Sequence, residues 1–107
     1  MVKIISSPTN PLIKQIVLLS EKSKVRKETG TLVVEGQREI LLALKGGYKI
    51  KTLVFNPNIV SFNRLHQLYG DEILEIELIE VTDQVYNKIA YREGTEGALG
   101  IFFAKSQ

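Results

Sequence analysis

Lys14, Lys22, Lys24, Arg26 and Lys27 crowd one short stretch of the chain, and Arg38 follows in the run Val34-Glu35-Gly36-Gln37-Arg38-Glu39-Ile40. Cations at this density attract phosphates through charge and counterion release, with little reading of base sequence. The ordinary alternative is a solvated helix end whose lysines favour its C-terminal dipole. Arg38 adds a planar fork of paired donors that suits a phosphate or ribose oxygen. It can equally pair with Glu35 and only fix the corner. Further along, Tyr91 and Arg92 set an aromatic ring beside a guanidinium. That pair can stack on an unpaired base, or the ring can close over the core as a half-buried lid.

Other chemistry finds little support. His66 stands alone between Leu65 and Leu68, which reads as a structural histidine. There is no cysteine and no His-x-x-x-His pair, so no metal-ligand set is assigned. A Gly-x-Ser-x-Gly elbow is absent. Ser6 and Ser7 lie in a segment too loosely held to make a nucleophile. The glycines Gly94, Gly97 and Gly100 suggest a phosphate loop. However, a dinucleotide fingerprint needs a strand before it and a helix after it, and here the order is reversed. A turn feeding a strand with close backbone packing is the better reading. No catalytic residue and no cofactor-binding residue is assigned.

The elements that must carry these side chains alternate. Residues 1–9 read as extended. Asn10 offers an N-cap oxygen and Pro11 suits the first helical position. Leu12, Ile16 and Leu19 then recur at helical spacing, predicting one amphipathic helix that ends before Gly30. Residues 31–35 predict a buried strand, and Gly36 permits a sharp turn into a helix that Gly46-Gly47 ends. A second strand over 50–55 leads to the Asn56-Pro57-Asn58 turn. A short helix over 61–69 follows, then a third strand within 73–81. Thr82 caps a helix reaching Ile89 or Ala90. A polar loop over 91–97 precedes a last strand over 98–104. This alternation predicts an α/β sandwich with a mixed or mostly parallel sheet between helices.

The totals set bounds. One domain over 1–107 suits 107 residues, and 44% hydrophobic with 24% charged residues excludes a disordered chain. No apolar run suits a membrane span and no secretory signal is present, which favours a cytoplasmic location. The charge is asymmetric. Residues 1–51 carry ten Lys/Arg against four Asp/Glu, and residues 52–107 carry four against eight. A basic half beside an acidic half suits a small domain with one nucleic-acid-facing surface. Asp71, Glu72, Glu75, Glu77 and Glu80 form the acidic counterpart, a solvated face or a protein contact.

Ser7-Pro8-Thr9-Asn10-Pro11-Leu12-Ile13-Lys14, Lys24-Val25-Arg26, Leu32 through Ile40, Ala43-Leu44 and Gly47 occur in an order that resembles the N-terminal substrate-binding domain of the SpoU/TrmH RNA methyltransferases, of the SPOUT class. Gly97-Ala98-Leu99-Gly100-Ile101 resembles the strand that closes that domain. The similarity runs from about Ser6 to Phe103. It implies a three-layer α/β/α sandwich like that of kink-turn-binding ribosomal proteins. It also implies capture of ribosomal or transfer RNA for 2′-O-ribose methylation with S-adenosylmethionine. In the family that cofactor belongs to a C-terminal knotted domain, which also forms the homodimer. The knot's motifs are not present in these residues, so the expected role here is positioning of RNA, with Lys14, Lys22, Lys24, Arg26, Lys27, Arg38 and Arg92 as RNA contacts. A stand-alone RNA-binding protein of the ribosomal type is the alternative. Glu96 departs from the family pattern, standing where many relatives carry proline.

Overall fold

Among the described residues, β-branched and apolar runs form five strands, β1 (Val2–Ile5), β2 (Thr31–Glu35), β3 (Ile50–Phe55), β4 (Glu77–Val81) and β5 (Ala98–Phe103). They join in one sheet of order β1-β4-β3-β5-β2. β1, β4 and β3 run parallel, while β5 is antiparallel to both β3 and β2. The computed structural model describes residues 2–90 and 96–105. Within these residues five α-helices surround the sheet: α1 (Pro11–Glu21), α2 (Ser23–Thr29), α3 (Gln37–Lys45), α4 (Phe62–Tyr69) and α5 (Asp83–Ile89).

Side chains alternate along each strand, so the sheet has two apolar faces. One carries Val54, Ile79, Val81, Leu99 and Ile101, covered by Ile13, Ile16 and Leu19 of α1 and by Val85, Tyr86 and Ile89 of α5. The other carries Leu53, Phe55, Leu78, Ala98 and Phe102, covered by Ile40 of α3, Leu65 and Tyr69 of α4, and Ile73. The result is the expected three-layer α/β/α sandwich with a mixed sheet.

The helix starts follow the sequence. Asn10 Oδ1 accepts from the Leu12 amide at 2.9 Å, Ser61 Oγ from Arg64 at 3.1 Å, and Thr82 Oγ1 from Val85 at 3.3 Å. Each satisfies a donor that the first helical turn leaves open.

Three features differ from the sequence reading, and a fourth is sharpened. The helix expected over 11–29 is two helices, broken at Lys22, whose backbone is extended (φ −118°, ψ 111°). The break turns α2 so that Val25 packs on the core beside α1. It opens the last carbonyls of α1, and Arg26 closes them: its Nη1 donates to Leu19 O at 2.7 Å and reaches Ser20 O at 3.5 Å. Residues 2–5 form a strand, parallel to β4, where only an extended segment was expected. Ile5 alone of the four is buried, so the hydrophobic alternation was too short to read. The third strand lies within the expected 73–81 and starts at Glu77, because Asp71–Leu74 makes a 3-10 turn that inserts Ile73 into the core. Finally, β2 was expected to be buried, but it is the outer strand: Thr31 is buried and the other four residues are half-exposed.

The carboxyl ends of β2, β3 and β4 and the amino end of β5 meet at one end of the sheet. There the Gly36 amide donates to Ala98 O at 3.0 Å and the Asn56 amide to Gly97 O at 2.9 Å. Gly97 has φ +75°, and a Cβ on it would lie 2.7 Å from Cβ of Ile59. The close-packing reading of this glycine therefore holds. Gly97→Ala should cost about 2 kcal/mol of unfolding free energy from left-handed strain plus the clash, measured by urea denaturation. A loss under about 0.5 kcal/mol, the scale of a neutral surface change, would contradict this packing.

Candidate nucleic-acid interface

The strand-to-helix corner Glu35-Gly36-Gln37-Arg38 is built from both ends of the chain. Gly36 turns β2 into α3 with φ +109°, which favours glycine. It cannot supply a side-chain cap, and Glu96 supplies one from just before β5. Glu96 Oε1 accepts from the Gln37 amide at 3.0 Å, and Gln37 Nε2 donates back to Glu96 O at 2.6 Å. A Cβ on Gly36 would lie 2.9 Å from Glu96 Oε2 and 3.1 Å from Glu39 Oε2. Gly36 thus provides the torsion and also leaves room for two carboxylates at the start of α3. That helix end favours negative charge. Glu39 Oε2 is buried there and makes no hydrogen bond among the described residues.

Two tyrosines seal the corner. Tyr69 Oη donates to Gln37 O at 2.8 Å, and Tyr86 Oη to Ala98 O at 3.5 Å. Burial pushes the Tyr86 phenol up to about 12, with nearby Glu35 adding to the shift. Burial raises Tyr69 further, assisted by Glu96 and Glu39. Nearby, Asn56 donates to Asp83 Oδ1 at 2.7 Å and Asn58 at 3.2 Å. These amides hold the Asp83 carboxyl below its usual range.

Arg38 is exposed on the first turn of α3. With Gln37 and Leu41 it lines a cleft whose opposite wall is Arg64 and Leu68 of α4, with Glu96 at its border. The sequence reading missed Arg64. Its one signal was helical spacing from Leu68, and nothing local links it to Arg38.

Lys14, Lys22, Lys24 and Lys27 are exposed on or beside α1 and α2. Lys24 lies 3.8 Å from Glu28, a solvent-screened pair one turn apart. Arg26 differs from them, being half-buried and committed to the end of α1. Arg92 and Tyr91 lie outside the described residues. The expected single basic surface is divided: α1 packs on one face of the sheet and α3 on the other. α2 also ends at Gly30, beside the start of β2, whereas Arg38 follows its end. Five strand residues separate these points by roughly 17 Å.

His66 serves structure: Nε2 lies 2.7 Å from Asp71 Oδ1, and the ring stacks on Phe62 with centroids 6.1 Å apart. In the acidic half, Glu77 accepts from Thr52 at 3.0 Å and lies 3.6 Å from Lys3. Among the described residues no cluster suits a metal ion, and no helix is long and apolar enough to cross a membrane.

Residues 10–100 match the family of MRM3-like substrate binding domains. The chain belongs to this family. As an MRM3-like substrate-binding domain, it superposes on an rRNA methyltransferase from Sinorhizobium meliloti with TM-score 0.72 and 33% identity, covering 99% of this chain and 38% of that one. A structure described as an RNA 2′-O ribose methyltransferase gives TM-score 0.81 at 26% identity, over 97% of this chain and 38% of that one. The SpoU methyltransferase AviRb from Streptomyces viridochromogenes, at 18% identity and TM-score 0.69, shares the fold over 91% of this chain and 34% of its own. Among curated proteins no significant match was found. The MRM3-like domain therefore spans little more than a third of the length of these solved relatives.

Glu96→Ala should lower stability by about 1 kcal/mol through loss of the cap, with Glu96→Gln retaining most of it, measured by urea unfolding. Alkaline pH should destabilise the domain as well. Tyr86 is raised from 10.0 to about 12 on folding, so its contribution is full below pH 10 and is lost as pH rises towards 12. Tyr86→Phe should flatten the fall in urea midpoint above pH 10; an unchanged slope would remove Tyr86 as its cause.

Proposed function

We propose that this domain captures RNA for a 2′-O-ribose methyltransferase of the SpoU/TrmH type, whose catalytic domain follows outside these residues. The observation that carries the reading is the family match over residues 10–100. It is supported by the likeness to the rRNA and 2′-O-ribose methyltransferase structures. The methyl donor in this reading is S-adenosylmethionine, held by the catalytic domain. The task left to these residues is positioning, which lowers the barrier by fixing the target near the donor.

The lysines of α1 and α2 supply the long-range attraction. They are exposed, with long side chains that can follow a phosphate backbone, and their contribution falls with salt. Arg26 contributes differently. Its guanidinium satisfies carbonyls that the break at Lys22 leaves open, so removing it first weakens the structure.

The triple change Lys22→Ala, Lys24→Ala and Lys27→Ala should weaken RNA binding at low salt and reduce the salt slope by about one for each phosphate no longer gripped. Fluorescence anisotropy with labelled ribosomal RNA fragments measures both. Unchanged affinity at low salt would remove the phosphate-grip role of α2. Arg26→Ala should instead lower the unfolding free energy by about 1–2 kcal/mol, read by urea denaturation.

A further inference from the structure

Arg38 and Arg64 come from different helices and from points far apart in the sequence, yet they line one cleft between α3 and α4. Both side chains are exposed. Among the described residues neither guanidinium forms an ion pair with an acid. Arg64 uses its backbone amide to complete the Ser61 cap, so its side chain is not needed to start α4. Between the arginines the lining is apolar, from half-buried Leu41 and Leu68.

The start of α3 cannot itself take a phosphate. Its amide at Gln37 is already bound by Glu96, and Glu39 adds a second carboxylate. An incoming anion is thus repelled from the helix end and directed outward to the two guanidiniums. The cleft volume, about 230 Å³, lies below the roughly 300–1,000 Å³ usual for cofactor pockets. It offers a charged rim and a small apolar floor, which suit one nucleotide rather than a whole cofactor. A paired A-form helix keeps its bases stacked inside and has none to lay on such a floor.

We infer that this cleft seats a single unpaired nucleotide of the RNA. Arg38 and Arg64 fork onto its phosphate, and Leu41 and Leu68 lie beneath its base. This rests on the RNA-capture reading above and adds Arg64, the cleft and the single-stranded character of the contact. The site is on the opposite face of the sheet from α1 and its Lys14. An RNA touching both passes around the outer strand β2.

The test uses the 107-residue chain and two labelled RNAs: a hairpin with an unpaired adenine- and uridine-rich loop, and the blunt duplex of its stem. Arg64→Ala should weaken hairpin binding about tenfold, the scale of one charge-assisted hydrogen bond, and leave duplex binding unchanged. Arg64→Lys should fall between, since it keeps the charge without the fork. Lys51→Ala removes a positive charge outside the cleft and should not discriminate between the RNAs. An unchanged melting temperature in Arg64→Ala separates contact from folding. If the wild type binds the hairpin and Arg64→Ala binds it equally well, the cleft assignment is overturned while RNA capture stands. Equal weakening on hairpin and duplex overturns the unpaired-nucleotide seat and leaves only a general phosphate contact. If the wild type binds neither RNA at low salt, the capture reading falls and the cleft with it.

Discussion

Strand β5 holds this molecule together by hydrogen-bonding along both of its edges. It pairs antiparallel with β3 on one side and with β2 on the other, from Ala98 and Leu99 to Phe102 and Phe103. Without it, β2 would have no neighbour in the sheet and the corner at Gly36 no anchor. Its side chains also enter both cores, Leu99 and Ile101 on one face, Ala98 and Phe102 on the other. The fifth strand in chain order therefore joins β2 to the sheet and contributes to both layers. Such long-range pairing carries a loop-closure cost before its contacts can repay it.

The approach to β5 also builds the corner. Glu96 precedes the strand and caps α3, 59 residues away in sequence. Gly36 makes this possible by its left-handed torsion and by having no Cβ to meet the carboxylate. The charged signature thus has two parts with separate duties. Gly36, Gln37 and Glu39 face inward and set the geometry of the helix start. Arg38 faces solvent and is left available to a partner. The start of the helix is thus occupied by an internal carboxylate.

Much of the fold was legible because its signals are local. The caps at Asn10 and Thr82, both named from the sequence, lie within three residues of the amides they bind. The Asn56-Pro57-Asn58 turn and the glycines after α3 are equally local. The features that the sequence left open or misread depend on packing. The break at Lys22 contains neither glycine nor proline, and is stabilised by Val25 reaching the core and by Arg26 reaching back to Leu19. β1 is a strand because β4 offers it an edge. Ile73 belongs to a 3-10 turn because the space between α4 and the sheet needs an apolar side chain there.

Residue types and short spacings were enough for the α/β alternation and the excess of positive charge in the first half, and the order of short motifs carried the resemblance to the family. They also made Arg38 a candidate contact. Four further facts needed the folded sheet. The basic helix and Arg38 lie on opposite faces, Arg26 serves a helix end, Glu96 caps α3, and Arg64 stands across a cleft from Arg38. A side chain's partners depend on which strands become neighbours, and neighbouring is not a local property of the chain. Here the sheet order β1-β4-β3-β5-β2 brings together residues that no local pattern connects.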